Sequence, residues 1–129
     1  MTQIKVLLID DETDFLALMS ERLGLRGVEV STAVSGPDGL RILREKDIDV
    51  VLLDMRIPGM DGLAILKEIG ESLLPVEVLI LTGHADMEAA IRGVELGASD
   101  YLVKPVVMNE LIFKLEEACQ GKKVKAGST

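Results

Sequence analysis

Five short apolar runs, rich in β-branched residues, recur along the chain: Ile4–Ile9, Val28–Ala33, Asp49–Asp54, Val76–Thr82 and Ser99–Lys104. Runs of this length and composition predict strands buried on both faces. Their starts at residues 4, 28, 49, 76 and 99 leave room for one helix in every interval. Between them apolar residues recur at steps of three and four, as in Met87, Ala90, Ile91 and Val94, or Met108, Leu111, Ile112, Leu115 and Cys119. Each such stripe can cover one face of a sheet. Local signals agree with this division: Ser35-Gly36-Pro37-Asp38 and Asp61-Gly62 read as helix starts with a capping oxygen, and Gly27, Gly70 and Gly97 fall where helices stop.

Strand and helix in strict alternation, (βα)₅, imply a parallel sheet, because right-handed crossovers place helices on both of its sides. The expected fold is α/β, a doubly wound, flavodoxin-like sheet of five parallel strands in the order 2-1-3-4-5 with helices on both faces. Ligands of such sheets bind outside the carboxyl ends of the strands. Any chemistry is therefore expected at those ends.

Composition narrows the choice of partner and compartment. The 129 residues, 48% hydrophobic and 28% charged, suit one packed domain over residues 1–120. The ending Gly121-Lys122-Lys123-Val124-Lys125-Ala126-Gly127-Ser128-Thr129 reads as a flexible basic tail. With 14 basic against 22 acidic side chains the formal charge is −8, which repels polyanions and argues against direct nucleic-acid binding. The lone Cys119 closes no intramolecular disulfide, and no Cys/His spacing suits structural zinc. Val6–Ile9 is too short for a signal-peptide core, and no run approaches the ~20 residues of a membrane span. A cytoplasmic protein without membrane insertion is expected.

The strand ends carry a distinctive set of side chains: Asp10-Asp11-Glu12 after the first, Asp54 at the third, Thr82-Gly83 at the fourth and Lys104-Pro105 at the fifth. Carboxylates gathered at one rim repel each other unless a cation compensates them. A divalent metal does so, and an oxygen-only donor set suits Mg²⁺, with Lys104 supplying a further positive charge. The first strand–helix turn has neither Gly-x-Gly-x-x-Gly nor a Gly-rich loop ending in Gly-Lys-Ser/Thr, so a nucleotide cofactor is not expected. A nucleophilic carboxylate (Asp54), metal-holding carboxylates (Asp10, Asp11), a hydroxyl (Thr82) and a cation (Lys104) are the parts needed for phosphoryl transfer to an aspartate.

Four segments together resemble a response-regulator receiver domain of two-component signalling, of the stand-alone, chemotaxis-regulator-like kind. They are Val6-Leu7-Leu8-Ile9-Asp10-Asp11-Glu12, Asp54-Met55-Arg56-Ile57-Pro58-Gly59-Met60-Asp61-Gly62, Leu81-Thr82-Gly83-His84, and Gly97-Ala98-Ser99-Asp100-Tyr101-Leu102-Val103-Lys104-Pro105. The resemblance runs from about Ile4 to Gln120. It implies that Asp54 takes a phosphoryl group from the phosphohistidine of a sensor histidine kinase or phosphotransfer protein. Mg²⁺ is then held by Asp11, Asp54, the backbone carbonyl of Arg56 and, mainly through water, Asp10. Thr82 and Lys104 bind phosphoryl oxygens, and the Lys104-Pro105 bond is expected to be cis. The resemblance further implies a switch in which Thr82 moves toward the phosphoryl group and Tyr101 fills the space it leaves. The face made by the fourth helix, fifth strand and fifth helix then binds a downstream protein or a second copy. Arg56 and His84 occupy positions that tune phosphoryl lifetime. On this reading the chain is a phosphoacceptor that catalyses only its own modification and its reversal, not an enzyme.

Several of these residues also have plainer readings. Asp10 or Asp11 alone would pass for helix caps, and it is Asp54 and Lys104 that make the set chemical. Asp61 and Asp100 read as cap and turn residues, and Cys119 as a packing residue. Phe113 points away from the apolar stripe of the last helix, beside Glu110, Lys114 and Glu117, and is expected to be an exposed partner contact. Ile57, Val106 and Val107 depart from the commonest family residues, and Val107 cannot cap the last helix. Two alternatives stand beside the receiver. One is a pseudo-receiver that binds without phosphorylation, although such domains usually lose part of the acidic, threonine or lysine set. The other is an aspartyl-nucleophile phosphohydrolase, which would carry Asp-x-Asp after its first strand and a cap.

Overall fold

The computed structural model describes residues 3–57 and 60–127. Five strands, β1 (Lys5–Ile9), β2 (Glu29–Ala33), β3 (Val50–Asp54), β4 (Glu77–Thr82) and β5 (Asp100–Val103), pair in parallel in the order β2-β1-β3-β4-β5. Each lies within a predicted run. Five helices alternate with them: α1 (Thr13–Gly24), α2 (Gly36–Glu45), α3 (Gly62–Glu71), α4 (Met87–Glu95) and α5 (Met108–Gly127). A short antiparallel pair, Arg56–Ile57 with Met60–Asp61, precedes α3 and stands outside the main sheet.

Alternation along the strands sorts the core into two layers. Leu7, Ile9, Val51, Leu53, Val78 and Ile80 face one way, onto Leu43 of α2, Ile65, Leu66 and Ile69 of α3, and Ala90 of α4. Val6, Leu8, Val50, Leu52, Leu79 and Leu81 face the other way, onto Leu16, Met19 and Leu23 of α1 and Leu111, Leu115 and Ala118 of α5. Every residue of β3 and β4 is buried, which is why these strands read as unbroken apolar runs.

The edge strands differ from the expectation of burial on both faces. Glu29 and Thr32 of β2 are exposed, and β5 is only half-buried except at Leu102, because each has a neighbour on one side alone. Ile91, counted in the core stripe of α4, is 47% exposed, while Ala90 and Gly93 are the residues that α4 buries. Gly27 and Gly97 follow α1 and α4 with φ of 80° and 124°, left-handed conformations suited to glycine. Gly70 instead lies inside α3, which ends at Glu71. Helix α5 continues to Gly127 through most of the segment read as a flexible tail. Lysine and alanine are good helix formers, so the run extends a helix already nucleated at Met108. Ser128 and Thr129 of that tail, and Pro58 and Gly59 of the second motif, lie outside the described residues.

Two glycines make opposite predictions about packing. A Cβ at Gly39 of α2 would press into the side chain of fully buried Ile9, whereas nothing lies within 4 Å of one at Gly24, the last residue of α1. Gly39→Val is expected to cost about 1–3 kcal/mol through overpacking. Gly24→Ala is expected to gain up to ~1 kcal/mol in helix propensity. Urea unfolding of both variants measures the two signs.

Candidate functional site

Strand register alone gathers the site. Ile9 pairs with Leu53, so the following residues, Asp10 and Asp54, leave the sheet side by side. Asp54 pairs with Leu81, which puts Thr82 one step beyond it on the next strand. Thr82 pairs with Val103, and the Lys104 N–H donates to the Thr82 carbonyl at 2.7 Å. The Lys104-Pro105 peptide is cis.

Two turns of the same design aim the carboxylates. Asp10 Oδ1 accepts the Glu12 N–H at 2.9 Å, and Asp54 Oδ1 accepts the Arg56 N–H at 3.0 Å, each closing a turn onto the backbone two residues ahead. The second oxygen of each is left to face Lys104, whose Nζ lies 3.2 Å from Asp10 Oδ2 and 3.6 Å from Asp54 Oδ2. Asp10 is 1% and Asp54 6% exposed, so both charges sit where water does little to screen them. The Phe15 ring of α1 covers a further side of the ammonium, its centroid 4.5 Å from Nζ.

The titration of these groups follows from that geometry. Burial pushes the Asp10 carboxyl above the usual carboxylate range; the Asp54 charge adds to the rise, while the Glu12 N–H and Lys104 oppose it. Burial also opposes the charge on Lys104, but the fields of Asp54 and Asp10, with the hydrogen bond to Asp10, outweigh it. The ammonium is therefore held above its ordinary value.

Asp11 is exposed at the rim, and one oxygen from each of Asp10, Asp11 and Asp54 lies within 4.8 Å of the others. Lys104 offsets one of three negative charges. The remaining imbalance, and a donor set of hard oxygens without His or Cys, fit a small divalent cation such as Mg²⁺.

The other candidate residues are placed around this centre. Thr82 is buried, and its hydroxyl donates to the Gly83 carbonyl at 3.1 Å rather than to Asp54. Arg56 and His84 are both exposed, on the loops that leave β3 and β4. Tyr101 is half-buried against the α2–α4 layer, and its carbonyl accepts from Lys114 Nζ at 2.8 Å. Phe113 is 61% exposed on α5. Asp61 caps α3 by accepting the Leu63 N–H, as expected, whereas Asp100, read as a turn residue, opens β5 and pairs with Lys114 of α5 at 2.9 Å. Phe15 and Asp86, which pairs with Arg56, are the two residues at the site that the sequence did not single out. Their signals were faint: a phenylalanine four residues after Asp11, and a carboxylate four after Thr82.

The response regulator receiver domain family matches residues 6–116, and the chain belongs to that family. It is 36% identical over 115 residues to the transcriptional regulatory protein PrrA of Mycobacterium tuberculosis, covering 89% of this chain and 49% of PrrA. The chain thus spans about half the length of that relative. A response regulator receiver domain protein from Clostridium thermocellum superposes with a TM-score of 0.89 at 41% identity, covering 94% of this chain and 98% of that one. NtrX from Brucella abortus superposes with a TM-score of 0.89 at 30% identity over 98% of this chain and 29% of its own. Receiver domains are signalling phosphoacceptors of two-component systems, so the aspartate cluster belongs to a chain of that class. Among the described residues, no helix is long and apolar enough to cross a membrane.

A pH dependence follows from Asp10. Its carboxyl holds a proton to higher pH in the fold than in the unfolded chain, where it titrates near 3.8. The contribution to stability is complete below that value and is lost as pH rises through the raised folded value. Relative to Asp10→Asn, which keeps the acceptor for Glu12 but does not titrate, the wild type is expected to lose stability across that window. Urea unfolding of both proteins from pH 3 upward measures the difference, and a wild type that gains on the variant there would contradict the assignment.

Proposed function

We propose that the chain is a phosphoacceptor response regulator in which Asp54 receives a phosphoryl group from a histidine kinase or phosphotransfer protein. The observation that carries this reading is the convergence of Asp10, Asp54 and Lys104 at adjoining strand ends, with Asp11 at the rim. Mg²⁺ would be held by Asp11, Asp54, the backbone carbonyl of Arg56 and, through water, Asp10, and when bound it neutralises charge on the phosphoryl oxygens.

The chain's own groups account for the rest. Asp54 Oδ1 is occupied by the Arg56 N–H, so Oδ2, the oxygen facing Lys104, is the one free to attack phosphorus in line with the departing imidazole. Lys104 already stands near that oxygen, and its ammonium, kept protonated by two carboxylates, takes up charge on the transferred group without a proton moving. The Thr82 hydroxyl turns from the Gly83 carbonyl to a phosphoryl oxygen. Tyr101 then moves into the space vacated, and the face of α4, β5 and α5 changes its affinity for a downstream protein or a second copy. Arg56 and His84, both exposed beside the acyl phosphate, govern how readily water reaches it. Phe113 supplies an apolar contact on the same face.

Intact mass after incubation with acetyl phosphate tests the chemistry. One phosphoryl adduct is expected in wild type with Mg²⁺, and none without the cation or in Asp54→Asn. Absence of the adduct in folded wild type would favour the pseudo-receiver, and sustained turnover of phosphate esters would favour the phosphohydrolase. Asp54→Asn keeps the acceptor for Arg56 and removes a buried charge, so its fold is expected to match or exceed the wild type by up to ~1 kcal/mol in metal-free urea unfolding. Phe113→Ala is expected to change stability by less than about 0.5 kcal/mol while weakening capture of the phosphorylated domain by its partner, measured by titration calorimetry.

A further inference from the structure

Arg56 and Asp86 lie on the loops that leave β3 and β4, the strands that end in Asp54 and Thr82. Arg56 Nε stands 2.9 Å from Asp86 Oδ2, an ion pair joining the two loops beside the phosphoacceptor. Asp86 is also the residue at the N-cap of α4, where an aspartate side chain ordinarily accepts an N–H from the first turn. Here it makes no such hydrogen bond: at φ −114° and ψ 19° it closes a 3-10 turn over His84–Asp86, its N–H donating to the Gly83 carbonyl at 3.0 Å, instead of taking the extended conformation that capping residues adopt. By contrast Ser35 and Asp61, at the N-caps of α2 and α3, are extended and do accept from the first turn. One carboxylate therefore has two possible partners, Arg56 across the loops and its own helix, and in this structure Arg56 has it.

We propose that the Arg56–Asp86 pair is a strap that keeps α4 uncapped until Asp54 is phosphorylated, which makes Asp86 a positioning residue acting through Arg56. The proposal rests on the reading of Asp54 as phosphoacceptor. A phosphoryl dianion on Asp54 stands two residues from Arg56 and carries more charge than the single carboxylate of Asp86. It draws the guanidinium away. Asp86, released, turns its backbone to the extended conformation and accepts an N–H of Glu88 or Ala89. That rotation passes along the loop through Gly83, where added bulk would meet open space, to Thr82. The part-exposed ion pair and the cap are both weak interactions of similar size, so the two states are close enough in free energy for one new charge to choose between them.

Asparagine and alanine at position 86 separate this role from a merely structural one. Both remove the charge that binds Arg56, but asparagine still caps a helix as well as aspartate does, and alanine does not. Hydrogen exchange of the Glu88 and Ala89 amides, followed by NMR, reads the cap directly in the full chain. In unphosphorylated protein, exchange in Asp86→Asn and in Arg56→Ala is expected to be slower than in wild type by about fivefold, the counterpart of a typical N-cap. Asp86→Ala is expected to exchange as fast as wild type or faster. Phosphorylation with acetyl phosphate should slow the wild type to the level of Asp86→Asn and leave Asp86→Ala fast. Equal exchange in the Asn and Ala variants, or no slowing in Arg56→Ala, would overturn the strap. So would a phosphoryl adduct on wild type that leaves these amides unchanged. Failure to form the adduct would instead reject Asp54 as the acceptor, while the unphosphorylated comparison would still decide the strap.

Discussion

The structure is organised around an unfavourable burial: two carboxylates, Asp10 and Asp54, leave adjacent strands in register and are withdrawn from water side by side. Their repulsion and desolvation are offset by one ammonium, that of Lys104, delivered from the far edge of the sheet by β5. The arrangement is incomplete as a charge balance, since Asp11 adds a third carboxylate oxygen within 4.8 Å. A site with surplus negative charge and fixed oxygens has room for a dication and for a phosphoryl group that brings its own charge with it.

The rest of the fold serves that placement. Parallel pairing puts all carboxyl ends on one side, and the apolar residues of β3 and β4 fix the register by burying both faces. A slip of one residue would move Asp54 out of line with Asp10 and Lys104 at once. The two backbone-accepting turns after β1 and β3 then orient the carboxylates, so that the outer oxygen of each faces the lysine. Rigidity beneath the site contrasts with the loops above it, where Arg56 and Asp86 are held by a part-exposed ion pair and His84 is exposed. The chemistry is thus rigidly held while its surroundings stay responsive.

The strands, their order and the cluster of Asp10, Asp54, Thr82 and Lys104 were legible in the sequence, because a doubly buried parallel strand leaves an unbroken apolar run that ends where the chemistry begins. The edge strands were less so: Glu29 and Thr32 lie in a run whose average is apolar although one side of β2 has no neighbour. Ile91 was misplaced because helical periodicity gives a stripe but not its width, and Gly93 lets α4 approach the sheet closely enough that Ala90 suffices as its buried residue. Contacts between elements were the least visible. Phe15 over Lys104 joins α1 to the end of β5, and Asp86 to Arg56 joins two loops, and neither pairing has a spacing that one chain could reveal.

The central claim, that the acidic rim is a cation-dependent site, is tested most directly by thermal unfolding of wild type and Asp11→Asn over a Mg²⁺ titration at constant ionic strength. Asp11 is exposed and takes no part in the core, so its substitution leaves the fold intact. Mg²⁺ is expected to raise the melting temperature of the wild type progressively, as a ligand of the folded state alone does, and to do so far less in the variant. An identical response in the two proteins, or none in either, would contradict the account.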